Sequence, residues 1–170
     1  LRVLQEIPVE LVVGGSVNLG ANTLVIIPSL SGTTAESVQL LNYARSRGAF
    51  VLTLTGHADT PLARDADVNF TTFAADDTSS ETFTVQSLLI ALSILGAHDG
   101  DQTGDDLRAQ LAELPAALLA AKQAFEGRAE EIAKVIAGSD YHIVTGAGGS
   151  WPEAFYYGMC ILEEMQWIRT

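Results

Sequence analysis

The segment 22–56, "NTLVIIPSLSGTTAESVQLLNYARSRGAFVLTLTG", decides the fold. A β-branched apolar run, 23–28, ends in a corner where Ser29, Ser31, Thr33 and Thr34 surround Gly32. Helical spacing follows over about 34–47. Gly48 predicts the C′ stop of that helix, with Arg45 and Arg47 in its last turn against the negative end of the dipole. The run "AFVLTLTG" begins at once. A strand, helix and strand joined this tightly predict a parallel pair with a right-handed crossover.

Upstream, residues 1–7 read as the end of a helix and "VELVV" as a short strand, followed by the loop "GGSVNLGAN". Downstream, "HADTPLARDAD" predicts a turn and a short helical turn with Pro61 at its first position. "VNFTTF" predicts a further strand, and 79–96 a helix capped by Ser79 or Ser80. The Asp- and Gly-rich "AHDGDQTGDD" interrupts this plan and marks an internal boundary. Helices near 105–113 and 115–137 follow, the second opened by Pro115. Then "YHIVTGAGGS" predicts a strand ending in a Gly-rich turn, and "WPEAFYYGMCILEEMQWI" a long helix, a faint echo of 23–47. The expected fold is α/β with a parallel sheet: a first domain over 1–97, a helical connector over 98–138, and the start of a second α/β unit over 139–170.

Composition narrows the partners. Nine Lys and Arg against 21 Asp and Glu give a net charge of -12. Such a surface opposes general binding to nucleic acid or an anionic membrane, while leaving room for one phosphate held locally. Cys160 is the single cysteine, so no internal disulfide forms, which fits a reducing cytoplasm. The apolar stretch 83–97 is too short and too polar at its start to span a bilayer. No signal-peptide pattern is present. The chain opens at Leu1 in a helical pattern and closes at Thr170 directly after one, as a piece of a longer protein would.

The corner itself has two readings. A helix N-terminus leaves backbone N–H groups unpaired and carries partial positive charge, so an anion there collects several donors without lysine. Ser29, Ser31, Thr33 and Thr34 add hydroxyl donors, and Gly32 lets the backbone approach closely. Ser and Thr are also ordinary N-caps, for which one residue would be enough. The corner stands at the carboxyl end of a parallel strand, where open α/β sheets bind ligands. The second Gly-rich turn, "GAGGS" at 146–150, lacks the third glycine of the dinucleotide fingerprint and reads as a tight turn.

Residues 23–69, with S-x-S-G-x-T after a strand and "TPLARDAD" at 60–67, resemble the sugar isomerase (SIS) domain family. The C-terminal "YHIVTGAGGSWPEAFYYGMCILEEMQWI" is similar to the opening of the second SIS domain in isomerases and fructosamine-6-phosphate deglycases, closest to the deglycase branch at "EMQWI". The resemblance implies a three-layer α/β/α fold, with the family's first strand preceding Leu1 and its catalytic histidine following Thr170. It places a sugar phosphate on Ser29, Ser31, Gly32, Thr33 and Thr34. A further family serine corresponds to Ser79 or Ser80. Leu30 stands where some members carry a polar side chain.

Glu164 is the implied catalytic residue. In an α-helix its neighbours three and four positions away are Cys160, Ile161, Trp167 and Ile168, all apolar. A carboxylate in such a stripe is desolvated and keeps its proton more readily, as a general acid or base near neutral pH requires. Glu163 has the more polar surroundings and is expected to face outward. His57, His98 and His142 show no metal spacing, so no metal site is expected. Ser/His/Asp hydrolysis has no nucleophile elbow, and Cys160 reads as inert core.

The resemblance implies lyase or isomerase chemistry on a ketosamine 6-phosphate without metal or organic cofactor. The partner would be a phosphorylated sugar or sugar-amine, and the protein a cytoplasmic homodimer or higher homo-oligomer. Aminosugar-phosphate isomerisation and non-catalytic phosphosugar sensing are the alternatives.

Overall fold

The computed structural model describes residues 2–73, 81–100 and 104–170. The chain divides into two compact units, Leu1–Leu111 and Ala112–Thr170.

In the first unit, residues 2–7 carry no helix, contrary to the sequence expectation. Pro8 is the reason: it disfavours helical backbone in the residue before it, and Ile7 is extended at φ -84° and ψ 128°. Pro8 then starts α1 (Pro8–Gly14), where "VELVV" had suggested a strand. A helix satisfies its own backbone groups and turns Leu11 inward, where it is buried against the main core. The predicted centre of the fold forms as read: β1 (Leu24–Ser29), α2 (Ala35–Ser46) and β2 (Phe50–Thr55). Gly48 takes φ 82° just past α2, the left-handed stop that glycine tolerates. Then α3 (Pro61–Asp65) leads to β3 (Val68–Thr71), and α4 (Glu81–Asp99) follows.

The three strands form one sheet in the order β1-β2-β3, both pairs parallel. The register aligns Ser29 with Thr55 and Thr55 with Thr71, and two residues earlier Ile27 with Thr53 and Thr53 with Asn69. Because side chains alternate along a strand, these rows share a face. Its apolar part meets α2 in a core of Ile27, Leu40, Leu41, Ala44, Val51 and Leu62. Leu41, Val51 and Leu62 are wholly buried. Burying each such side chain contributes about 1.5–3 kcal/mol. On the opposite face Leu24, Ile26, Phe50 and Phe70 stay exposed.

The polar part of the shared face is internally bonded. Thr53 Oγ1 lies 2.8 Å from Asn69 Oδ1, and Thr55 Oγ1 donates to the His57 carbonyl at 2.9 Å. The Asn69 amide donates to Thr71 Oγ1 at 2.9 Å. Thr53 and Thr55 are wholly buried and Asn69 and Thr71 half-buried, and these bonds offset the desolvation of the buried hydroxyls.

Three further expectations are corrected. The connector holds one helix, α5 (Gly104–Ile136), with Pro115 inside it rather than at a break. A proline removes one helical bond, but the Ala- and Leu-rich sequence on its C-terminal side favours helix strongly enough to continue. In the second unit no strand forms over "YHIVT". A strand needs a neighbour for its backbone groups; here the His142 N–H donates to the Arg169 carbonyl, at 3.0 Å, without a ladder. The long final helix is also divided: a 3₁₀ turn (Gly148–Ser150) leads to α6 (Trp151–Tyr156) and then to nine residues of π-helix, Tyr157–Met165.

Candidate functional site

The end of β1 and the start of α2 bring the corner hydroxyls together. Thr34 is the N-cap residue of α2, yet its side chain makes no capping bond. Instead Thr34 Oγ1 lies 3.4 Å from Ser29 Oγ and 3.4 Å from Ser31 Oγ. Ser29 is buried, Ser31 half-buried, and Thr33 and Thr34 are exposed. The Thr33 N–H donates to Ser31 Oγ at 3.3 Å. Three hydroxyls thus converge at the positive end of a twelve-residue helix without being used to cap it. Capping, the simpler reading of this sequence, leaves that arrangement unexplained.

Two features shape the corner. Gly32 sits in the left-handed region at φ 64°, which a side chain would strain. The Gly56 N–H donates to the Leu30 carbonyl at 2.8 Å, tying the corner to the end of β2. Glu36, in the first turn of α2, is the nearest acidic residue along the helix and is exposed. No lysine or arginine lies within 29–34. An anion here would be held by hydroxyls, backbone N–H groups and the helix dipole, a donor set suited to one phosphate group.

Ser79 and Ser80 lie outside the described residues. Glu164 belongs to the second unit, on the π-helical segment. It is exposed, and Glu163 is the half-buried one, opposite to the expectation. The cause is the helix type. With i→i+5 bonding, positions three and four apart no longer share a face as they do in an α-helix, so the apolar stripe inferred for Glu164 does not form. Glu163 Oε1 accepts from both the backbone N–H and the hydroxyl of Thr170. Cys160 is half-buried, and its thiol is pushed above its ordinary range, first by burial and then by the Glu164 carboxylate. That favours the protonated, unreactive form. Among the described residues, no group of three His, Cys, Asp or Glu could hold a metal ion, and no helix is long and apolar enough to cross a membrane.

Comparison with known proteins adds a family to this geometry. The SIS domain model matches residues 10–96, just over half of the chain, from α1 through most of α4. The chain belongs to the SIS domain family. The SIS match contains the hydroxyl corner and the whole parallel sheet. Fructosamine deglycase FrlB of Bacillus subtilis is 27% identical over 166 residues, covering 95% of this chain and 49% of that protein. The isomerizing glutamine–fructose-6-phosphate aminotransferase of Zymomonas mobilis is 32% identical over 157 residues, covering 86% of this chain and 25% of the relative. A crystal structure from Bacillus subtilis, provisionally described as a phosphosugar isomerase, superimposes with a TM-score of 0.85 at 27% identity, over 95% of this chain and 50% of that one. The chain therefore spans about half the length of FrlB or less of the relatives it matches. This SIS chain is similar to enzymes of deglycation and isomerisation, and it shares their α/β fold.

The sequence alone missed the contacts behind the corner, from Gly56, Thr60 and Leu62. Their signal was present in "GHADTPLAR", read as a turn and a short helical turn and as part of the family motif, with no contact to the corner inferred. The register of a parallel sheet brings that turn beside 29–34, although they lie about thirty positions apart in sequence.

Proposed function

We propose that this SIS domain binds the phosphate of a phosphorylated sugar at Ser29, Ser31, Gly32, Thr33 and Thr34, with Ser79 completing the set. The observation that carries this reading is the convergence of Ser29 and Ser31 on an uncapping Thr34 at the start of α2. The similarity to a fructosamine deglycase and to isomerizing aminotransferases supports a sugar-phosphate ligand and chemistry at its carbonyl end.

The reaction proposed is cleavage of a ketosamine 6-phosphate, with Glu164 as the general acid and base. A proton leaves the carbon that bears the amine, next to the carbonyl, and an enediol-type intermediate results. Its return to the neighbouring carbon gives an imine, which takes up water and releases the amine and glucose 6-phosphate. The same proton shuttle without loss of amine is aminosugar-phosphate isomerisation, which the 32% identity to an isomerizing aminotransferase supports as the second reading. The role given to Glu164 rests on the resemblance of its segment to the deglycases and not on desolvation, because its carboxylate is exposed. Neither reaction needs a metal or organic cofactor, and a homodimer or larger homo-oligomer is proposed as the working assembly.

The test is direct. The intact protein is incubated with fructosamine 6-phosphate and with fructosamine, and glucose 6-phosphate and free amine are measured. Release from the phosphorylated compound alone is expected. Equal action on both would remove the phosphate corner from the mechanism. Interconversion of fructose 6-phosphate and an aldose phosphate, with no amine released, would favour the isomerase.

A further inference from the structure

We propose that Thr60 is a positioning residue for the phosphate corner, holding the left-handed turn at Gly32 that brings the hydroxyls of Ser29, Ser31 and Thr34 together. This rests on reading that corner as a phosphate site, and adds to it the residue that sets its shape.

The contact is too close for any side chain at position 32. A Cβ built there would lie 2.3 Å from Thr60 Oγ1 and 2.7 Å from Thr60 Cβ. The corner backbone therefore rests directly on the Thr60 side chain. Just beyond it, the Leu62 N–H donates to the Gly32 carbonyl at 3.2 Å. Gly32 is thus fixed on one side by Thr60 and at its carbonyl by the first turn of α3. Its own N–H donates to the Ser29 carbonyl at 3.1 Å, which closes the turn.

Thr60 is itself held firmly. It is 4% exposed. Its Oγ1 accepts from the Ala63 N–H at 3.3 Å, capping α3, and lies 3.4 Å from the His57 carbonyl, to which its one proton is directed. That carbonyl also accepts from the buried Thr55 hydroxyl at the end of β2. A continuous path runs from β2 through His57 and Thr60 to Gly32. With its proton directed to His57, the Thr60 hydroxyl has none left for a ligand, so its effect on the site passes through Gly32.

Three variants of the intact protein test this, each titrated with fructose 6-phosphate and followed by amide hydrogen exchange. Thr60→Ser keeps the hydroxyl and should bind like the parent. Thr60→Val and Thr60→Ala lose both bonds and should bind about tenfold more weakly, near the net worth of one hydrogen bond. Exchange at Gly32, Thr33 and Thr34 should quicken in both, while the interior of α2 stays protected. Combined with Thr34→Val, the Thr60→Ala loss should be less than additive, because both act on one site. A simple cap for α3 would give additive losses and unchanged exchange at the corner, and would overturn the proposal. If Thr60→Val or Thr60→Ala does not fold, Gly32→Ala approaches the same contact from the other side, and parental affinity in that variant would be equally damaging. A parent that does not bind the sugar phosphate would remove the ligand reading, while the exchange data would still decide whether Thr60 holds the turn.

Discussion

Glu163 holds Thr170 through a single carboxylate oxygen. Its Oε1 accepts from the Thr170 N–H at 3.1 Å and from the Thr170 hydroxyl at 2.7 Å. Between the two residues the chain reverses through Trp167, which takes a left-handed φ of 58°. The Ile168 N–H returns to the Leu162 carbonyl at 2.9 Å. Glu163 therefore closes a local turn, and the adjacent Glu164 is left facing solvent.

The two carboxylates should separate under mutation. Glu164→Gln is expected to lower turnover by about 10²- to 10⁴-fold with little change in substrate affinity, the range of general acid–base catalysis. Glu163→Gln keeps an acceptor oxygen and should retain most activity. Glu163→Ala removes the bonds to Thr170 and should cost roughly 1–3 kcal/mol in a urea melt. Normal turnover in Glu164→Gln, or a dead Glu163→Gln, would put the chemistry on the wrong residue.

At the corner, Thr34→Val keeps the shape and removes the hydroxyl on which Ser29 and Ser31 converge. Loss of one bond to a charged group should weaken sugar 6-phosphate binding by roughly 1.5–3 kcal/mol, measured by calorimetric titration. Since Thr34 caps no helical N–H through its side chain, the thermal midpoint should hardly move. A large fall in midpoint with unchanged affinity would return the residue to a structural role.

Pro115 lies exposed within α5. A proline in a helix interior is less favourable than alanine by about 3 kcal/mol, partly offset by its stiffening of the unfolded chain. Pro115→Ala should therefore raise stability by about 1–3 kcal/mol in urea. A lower midpoint would mean that the proline fits its place better than alanine.

Cys160 supplies a pH test. Its raised thiol range leaves less thiolate at a given pH, so alkylation near pH ~8 should be slower than for an unperturbed thiol. Glu164→Gln removes the second cause and should speed labelling. The sign for stability follows: the contribution is complete below the ordinary thiol range and is lost as pH rises through the higher folded value. Identical labelling rates in the parent and Glu164→Gln would show that the carboxylate does not act on the sulfur.

Much of the first unit was legible because its signals are local. The β-branched runs, Gly48 beyond a helix, and Pro61 at the head of α3 each act within a few residues of themselves. Where a segment depends on neighbours, the reading failed. "VELVV" has strand composition but lies as a helix against α2, and "YHIVT" finds no ladder to join. The hydroxyl corner was recognisable as a cluster, while the absence of a capping bond was visible only in three dimensions.

The sequence by itself determined the order of β1, α2 and β2, the left-handed stop at Gly48 and the placing of four hydroxyl residues at a strand end. Those depend on backbone preference and on the spacing of apolar side chains. Tertiary structure decided that Thr60 would press on Gly32, that Ser29, Thr55 and Thr71 would form one row, and that Glu163 rather than Glu164 would be held by Thr170. Each of these depends on sheet register, on a long-range contact or on the change from α to π bonding. The physical reason is that such relationships arise from packing between segments, where many spacings compete and only the folded chain selects one.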